Sequence, residues 1–229
     1  ASDVYKRQPY LARALSVARQ RDGVSIYLLE DVGPGTQRLC ALAEGERVWS
    51  VGPLGRGFVL PETAEASILV GGGVGIAPLA ILSDRLGAPT AMRVLLGFRD
   101  EDHASGAALF DGSAVAIATD DGSAGHHGPV TDLLERALAE ADRAAAGVYA
   151  CGPPGMLEAV RALCEREGVP AQLALEAPMA CGFGACFGCV VPRRDGSYAR
   201  VCVDGPVLDA ASLSSVSVEE GSLPMGEPA

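Results

Sequence analysis

The stretch SILVGGGVGIAPLA, residues 67–80, joins two apolar runs through a glycine-rich turn. Its apolar start predicts a buried strand over residues 67–70, and its end predicts a helix over residues 77–86. Pro78 suits the first helical turn, where a missing N–H group costs nothing. Glycines between the two elements let the backbone approach a pyrophosphate at the positive end of the helix dipole; they are Gly71, Gly72, Gly73 and Gly75. The spacing departs from the strict G-x-G-x-x-G pattern, so a tight turn without a ligand is the alternative.

A second loop, CGPPG at residues 151–155, also follows an apolar strand and precedes a helix. Strands are predicted over residues 67–70, 92–97, 114–118 and 147–150, and helices over residues 77–86, 131–146 and 156–167. This alternation predicts a parallel α/β domain over residues 63–168. Both loops then lie at the carboxyl edge of the sheet, where such folds bind ligands, and Gly152 and Pro153 join the candidate nucleotide site.

The run Phe98-Arg99-Asp100-Glu101-Asp102 follows the predicted strand at residues 92–97. Carboxylates at this place favour the ribose 2′-hydroxyl of NAD, whereas Arg99 favours the 2′-phosphate of NADP. A solvated turn is the alternative.

Four cysteines between residues 179 and 204 form the most specific pattern in the chain. Cys181, Cys186 and Cys189 have C-x4-C-x2-C spacing, and Cys202 follows on a later segment. This is the plant-type ligand pattern of a [2Fe–2S] cluster, and the small residues between the cysteines suit a loop that turns its N–H groups toward sulfur. A zinc site, which usually has paired C-x2-C motifs, and a disulfide framework, which suits short secreted domains, are less favoured alternatives.

Composition excludes several classes of partner. The 229 residues carry a formal charge of −11, which argues against nucleic acid and anionic membrane surfaces. The longest apolar run, residues 68–82, is too short to span a bilayer and contains four glycines, and the first residues lack the apolar region of an export signal. A cytoplasmic location is therefore expected.

The remaining segments predict two smaller units. Residues 1–62 are β-like, with strands over residues 24–29 and 47–51 and a closing loop at residues 52–57. Residues 169–229 predict a strand over 172–175, the cysteine loop, a strand pair around Val190 and Val201, and a frayed tail after Ser212.

With these motifs in place, the chain resembles ferredoxin-reductase-type flavoproteins with an appended [2Fe–2S] domain. More narrowly, it resembles the electron-transfer subunits of NAD-dependent, class B dihydroorotate dehydrogenases. The resemblance covers residues 11–208 and depends on GGGVGIAPL at residues 71–79, CGPPGML at residues 151–157 and, above all, residues 179–208. It implies an α/β plus β fold: a partial FAD-binding β-barrel, a ferredoxin-reductase-like parallel α/β nucleotide-binding domain and a small C-terminal [2Fe–2S] domain.

The resemblance also implies cofactors and their residues. FAD would be held by the stretch that matches Arg-Pro-x-Ser, here Arg13, Ala14, Leu15 and Ser16 with alanine in place of proline, by Gly35 and Thr36 of a G-x-G-T match, and along Leu28, Leu29 and Glu30. On the residues alone, Arg13 is also explained as a surface charge, and Gly35 and Thr36 as a helix cap. NAD would bind at the glycine loops, with Cys151 helping to seat the nicotinamide; a small buried residue is the alternative for Cys151. Few residues precede Arg13, so an N-terminally incomplete barrel that holds FAD poorly is a further hypothesis.

The implied partner is an FMN-containing dihydroorotate dehydrogenase catalytic subunit, assembled with this chain as a heterotetramer. Electrons would pass from FMN through the cluster and FAD to NAD+. Phe183, Phe187 and Tyr198 are candidate contacts with that subunit, and packing within the small domain is the alternative. Competing functions are a related subunit of a sulfide dehydrogenase, hydrogenase or ferredoxin reductase, an oxygenase reductase, and a non-enzymatic iron–sulfur sensor.

Overall fold

A computed structural model describes residues 13–60, 66–87, 92–110, 114–143 and 145–216. The expected boundary at residues 62 and 63 and the tail after residue 216 lie outside these residues, but fraying directly after Ser212 is wrong, because Leu213 and Val216 are buried. The strands are β1 (Val17–Arg21), β2 (Val24–Tyr27), β3 (Ala66–Gly72), β4 (Met92–Phe98), β5 (Ala114–Thr119), β6 (His126–His127), β7 (Ala146–Cys151), β8 (Ala171–Ala174), β9 (Val190–Pro192), β10 (Tyr198–Arg200) and β11 (Val207–Asp209). The α-helices are α1 (Pro34–Cys40), α2 (Ala77–Leu86), α3 (Val130–Glu140) and α4 (Pro154–Glu167), and shorter 3₁₀ helices span Gly73–Ile76, Glu101–Phe110 and Ala210–Ser212.

Seven of these strands form one sheet, in the order β11-β8-β7-β3-β4-β5-β6. All neighbours in it are parallel except β11, which is antiparallel to β8. The parallel α/β domain is thereby confirmed. The sheet extends past the predicted boundary at residue 168, because β8 and β11 belong to it.

Both faces of the sheet are covered, which explains the almost continuous apolar sequence of β3. Ile68 and Val70 point to a core shared with α3 and α4. Leu69 points to the opposite core, which contains Ile76 and Leu79 of the segment after the glycines. Successive residues of a strand alternate between faces, so β3 contributes to both cores.

The cysteine-containing segment packs against the nucleotide-binding sheet. Cys189, Val191, Cys202 and Leu213 are buried in the same core as the apolar face of α4. β9 and β10 form the predicted antiparallel pair, and Arg194 on the turn between them forms an ion pair with Glu165 of α4.

The N-terminal segment differs most from the sequence prediction. β1 and β2 form a hairpin, but the expected strand at residues 47–51 is wrong: these residues are irregular. Trp49 is fully exposed and Val51 is 84% exposed, and in the described part of the chain no strand pairs with them. Apolar content favours a strand only where a neighbour supplies hydrogen bonds.

One helix end was also predicted wrongly. α3 ends at Glu140, whereas the alanine-rich sequence predicted a helix up to residue 146. Ala146 instead pairs with Ala66 as the first residue of β7. Tertiary pairing overrides local helix propensity at this position.

Residues 54–59 connect the N-terminal segment to the nucleotide-binding sheet and to the cysteine-containing segment. Val59 is held by both ends of the Gln172 side-chain amide, with N–H to Oε1 at 2.9 Å and Nε2 to carbonyl oxygen at 2.7 Å. The N–H of Arg56 donates to the carbonyl oxygen of Gly205. The ring of Phe58 meets Tyr149 of β7 edge-on at 5.8 Å.

Candidate functional site

The two glycine loops meet at the carboxyl edge of the sheet. β3 and β7 are neighbours there, with Gly71 opposite Cys151. A Cβ atom added to Gly75 would lie 2.6 Å from the Cα of Gly152, and one added to Gly72 would lie 2.8 Å from the Cδ of Pro153. The structure therefore brings the predicted residues of both loops together.

This contact gives the glycines a packing role that the sequence did not reveal. A Cβ on Gly71 would lie 2.8 Å from the side chain of Ile76, so this position is also crowded from within the protein. Gly73 differs: its φ of +53° is in the left-handed region, and among the described residues no atom beyond its two chain neighbours lies within 4 Å of the position that a Cβ atom would take. Contact between this loop and a pyrophosphate stays a prediction, as does the role of Pro78, which lies in the first turn of α2 as expected.

Cys151 is the last residue of β7 and only 4% of its surface is exposed. Burial, and secondly the negative charge of Glu176, raise the pKa of its thiol. The thiol is therefore neutral at physiological pH, and it lies in the sheet core away from the cysteine loop. Its contact with nicotinamide stays a prediction.

The acidic run after β4 is a hydrogen-bonded network. Nη2 of Arg99 lies 2.7 Å from Nε2 of His103, and Nδ1 of His103 lies 2.5 Å from Oδ1 of Asp100. The hydrogen bond from His103 lowers the pKa of Asp100, so its carboxylate is charged at neutral pH.

The loop after β5 faces this run, and no prediction from the sequence covered it. Residues 120–123 follow β5, and the N–H of Asp121 donates to the carbonyl oxygen of Arg99 at 3.3 Å. The N–H of Glu101 donates to Oγ of Ser123 at 2.8 Å. The detectable signal was an acidic pair at a strand end, in the place that Asp100 occupies one strand away.

The two expected flavin-binding stretches lie against each other. The guanidinium of Arg13 lies over Gly35, such that a Cβ there would be 2.6 Å from Nη2 and 2.7 Å from Cζ. Ala14, Leu15 and Ser16 form the exposed approach to β1. A cation beside the start of α1 has the chemistry to bind a phosphate.

The hydroxyl group of Thr36 is already used in the start of α1. It accepts from the N–H groups of Val32 and Gly33, at 3.0 and 3.1 Å, and donates to the carbonyl oxygen of Gly33. This geometry fits the helix-cap alternative for Thr36. The predicted strand at residues 24–29 ends at Tyr27, so Leu28, Leu29 and Glu30 lie beyond β2. Leu28 lines an open cleft of about 290 Å³ with the side chains of Ile26 and Tyr27.

The four predicted iron ligands lie in two pairs. Sγ of Cys189 is 3.3 Å from Sγ of Cys202, and both are buried. The N–H groups of Cys186 and Phe183 lower the pKa of Cys181 to about 6. The Cys186 thiol also donates to Cys181, and the N–H of Gly188 lies 3.5 Å from Sγ of Cys186.

This donor set fits a binuclear cluster, in which each of two irons takes two thiolates. Gly182, Gly184 and Phe187 have positive φ values, so the loop turns tightly and directs N–H groups inward. Among the described residues, no three His, Cys, Asp or Glu side chains converge on a point suited to a single metal ion.

The surface around this loop is apolar. Phe183, Phe187 and Tyr198 are 70%, 60% and 64% exposed, so packing within the small domain leaves most of their surface open, and their contact with a partner stays a prediction. The guanidinium of Arg200 lies 5.4 Å from the ring centre of Phe187. Within the described ranges, every helix is too short or too polar to span a bilayer.

Together, the nucleotide loops on a parallel sheet and the cysteine loop packed against it define an oxidoreductase of the ferredoxin-reductase fold with an iron–sulfur domain. Comparison with known families agrees: residues 69–162 match the oxidoreductase NAD-binding domain, and residues 176–214 match the iron–sulfur cluster binding domain of dihydroorotate dehydrogenase B.

Individual relatives narrow the assignment. The chain is 38% identical over 208 residues to the dihydroorotate dehydrogenase B (NAD(+)) electron transfer subunit of Caldanaerobacter subterraneus subsp. tengcongensis, which covers 89% of this chain and 81% of the relative. It is 41% identical to the same subunit of Geobacillus thermodenitrificans, over 90% of this chain and 80% of the relative. The chain belongs to the family of dihydroorotate dehydrogenase B (NAD(+)) electron transfer subunits.

Solved structures support the fold. An NADH-dependent reduced ferredoxin-NADP oxidoreductase aligns with a TM-score of 0.75 and 30% identity, covering 88% of this chain and 73% of that one. The ferredoxin reductase of carbazole 1,9a-dioxygenase aligns with a TM-score of 0.56 at 24% identity, covering 69% of this chain and 52% of that one, and shows a shared fold.

Proposed function

We propose that this chain passes electrons between a dihydroorotate-oxidising partner and NAD+ by way of a [2Fe–2S] cluster and FAD. The observation that supports the proposal most directly is the packing of a four-cysteine loop against the sheet. The carboxyl edge of that sheet bears two glycine loops in contact with each other. When bound, FAD exchanges hydride with nicotinamide and single electrons with an iron–sulfur cluster. The protein's part is to hold these groups at fixed positions.

The cysteine loop would hold the cluster with Cys181, Cys186, Cys189 and Cys202 as ligands. Metal binding requires thiolates, and the N–H groups that face Cys181 favour that form. Burial raises the pKa of Cys202, so binding there would release a proton at neutral pH. The buried pair Cys189 and Cys202 would shield one side of the cluster from water.

The glycine loops would bind the dinucleotide. The left-handed backbone at Gly73 has open space beside it just after β3, and the neutral thiol of Cys151, which lies opposite Gly71, would place no negative charge there. Arg13 over Gly35 would bind the FAD pyrophosphate by charge-assisted hydrogen bonds.

The partner would be an FMN-containing catalytic subunit, with two copies of each chain forming a heterotetramer. The support is the exposed apolar surface beside the cysteine loop, since exposed aromatic residues are typical anchors of protein interfaces. The cytoplasmic location stays a prediction.

Coexpression with the catalytic subunit of the same organism tests the proposal. We expect a stable complex that forms orotate and NADH in equal amounts from dihydroorotate and NAD+. A matched complex containing Cys202→Ser should form little NADH, and one containing Cys40→Ser, at an exposed cysteine outside the loop, should match the original chain. If NADH instead forms only from reduced ferredoxin, the chain serves a related ferredoxin-linked enzyme and the proposal is wrong.

A further inference from the structure

Arg99 lies at the end of β4 and is held from two sides. Its Nη2 donates to Nε2 of His103, whose Nδ1 proton then donates to Asp100, while its Nε lies 3.3 Å from Oδ2 of Asp100. Each group of this triangle therefore has a partner within the triangle.

The backbone of the same turn is fixed by the facing loop after β5. The N–H of Asp120 donates to the carbonyl oxygen of Phe98 at 3.1 Å, and the N–H of Asp121 donates to that of Arg99. Asp121 in turn accepts two hydrogen bonds from Ser123, from its N–H at 2.9 Å and its hydroxyl at 2.6 Å. The turn and the loop are thereby joined into one surface at the strand ends.

This surface is where the adenosine ribose is expected. β4 is the parallel neighbour of β3, which carries the first glycine loop. In nucleotide-binding sheets of this kind, the end of the strand beside the phosphate loop contacts the ribose; an acid there accepts from the 2′-hydroxyl of NAD, and a nearby arginine binds the 2′-phosphate of NADP. Here both residue types are present, and the acid holds the arginine.

We propose that Asp100 is a specificity-determining residue, which keeps Arg99 from binding a 2′-phosphate and presents a carboxylate to a 2′-hydroxyl. This inference rests on the proposed function and deepens it, because it assigns the selection of NAD over NADP to one side chain. Arg99 is then able to bind a phosphate group only when Asp100 has been removed.

Calorimetric titration of the purified chain with ADP-ribose and with 2′-phospho-ADP-ribose tests the inference without FAD, iron or the partner. The original chain should prefer ADP-ribose. Asp100→Ala should shift the ratio of the two affinities by about tenfold or more toward the 2′-phosphate, since a freed guanidinium forms strong hydrogen bonds with phosphate. Asp102→Ala is the matched control: it removes an equal charge two residues away, from a side chain that forms no ion pair with Arg99, and it should shift the ratio much less.

The double variant Arg99→Ala/Asp100→Ala separates the role of Arg99 from simple loss of negative charge. We expect it to lose most of the shift gained by Asp100→Ala. A full shift in the double variant, or equal shifts in Asp100→Ala and Asp102→Ala, would overturn the inference. If ADP-ribose binds to the original chain but no variant changes the ratio, only this inference fails. If neither compound binds to a folded original chain, the proposed function fails with it.

Discussion

Substitution of Gly75 by alanine probes the contact between the two glycine loops. The new Cβ would lie 2.6 Å from the Cα of Gly152, 2.7 Å from its nitrogen and 2.9 Å from the carbonyl carbon of Cys151. All three atoms belong to the backbone, so no flexible side chain can move aside. Relief requires the loops to separate.

The expected cost follows from that geometry. Overpacking of a well-packed site costs about 1–3 kcal/mol. For a chain of this length, each kcal/mol lowers the melting temperature by roughly 2–4 °C, so Gly75→Ala should melt about 2–12 °C below the original chain. The affinity for ADP-ribose should fall as well, because separation displaces the N–H groups at the strand end.

Gly155→Ala is the matched control within the second loop. In the part of the chain that the structure describes, no atom outside its own helical turn lies within 4 Å of the position of its Cβ, and its φ is not in the left-handed region. Since alanine is favoured over glycine in a helix, this variant should be unchanged or more stable by up to about 1 kcal/mol. Thermal unfolding followed by circular dichroism compares the two. Equal melting temperatures for Gly75→Ala and Gly155→Ala would show that the two glycine loops are not in close contact.

Three further predictions concern the other segments. Cys202→Ser should lose most of the iron bound on reconstitution, while Cys164→Ser, at a buried thiol in the sheet core, should keep it; iron analysis of folded protein decides, and equal iron contents would contradict the ligand assignment. Asp84→Asn removes ion pairs from the β1–β2 hairpin to α2 and should lower the free energy of unfolding by about 0.5–1 kcal/mol, with a smaller difference at high salt, in denaturant titrations. In iron-free protein, alkylation at Cys181 should stay fast down to about pH 6, because its pKa is lowered and the thiolate is the reactive form; mass spectrometry of the Cys181 peptide gives the rate at each pH, and a rate that already falls steeply below about pH 8, as for an ordinary thiol, would count against the N–H groups around Cys181.

The central part of the fold follows from local sequence signals. The strand at β3, the glycines after it and the start of α2 at Ala77 were predicted because apolar runs, glycine and Pro78 each restrict the backbone locally. The cysteine spacing likewise predicted that three thiols of one loop and a fourth from a later segment come together. These features depend on residues that are close in sequence.

The rest depends on contacts between distant residues. Arg13 and Gly35 come from separate stretches, and only the folded chain shows that one lies over the other. Nothing local revealed that Gln172 holds the backbone of Val59, or that residues 47–51 find no strand partner in the described chain. Side-chain pairing with a remote backbone leaves no periodic pattern in the sequence.

Transfer of electrons between NADH and an iron–sulfur cluster on one chain can be measured directly. The direct measurement is electron paramagnetic resonance of the chain reconstituted anaerobically with iron, sulfide and FAD, before and after NADH is added. We predict that NADH produces the signal of a reduced [2Fe–2S] cluster, with an intensity comparable to that produced by dithionite. A cluster that dithionite reduces and NADH does not, in protein that contains FAD, would contradict electron transfer from NADH to the cluster.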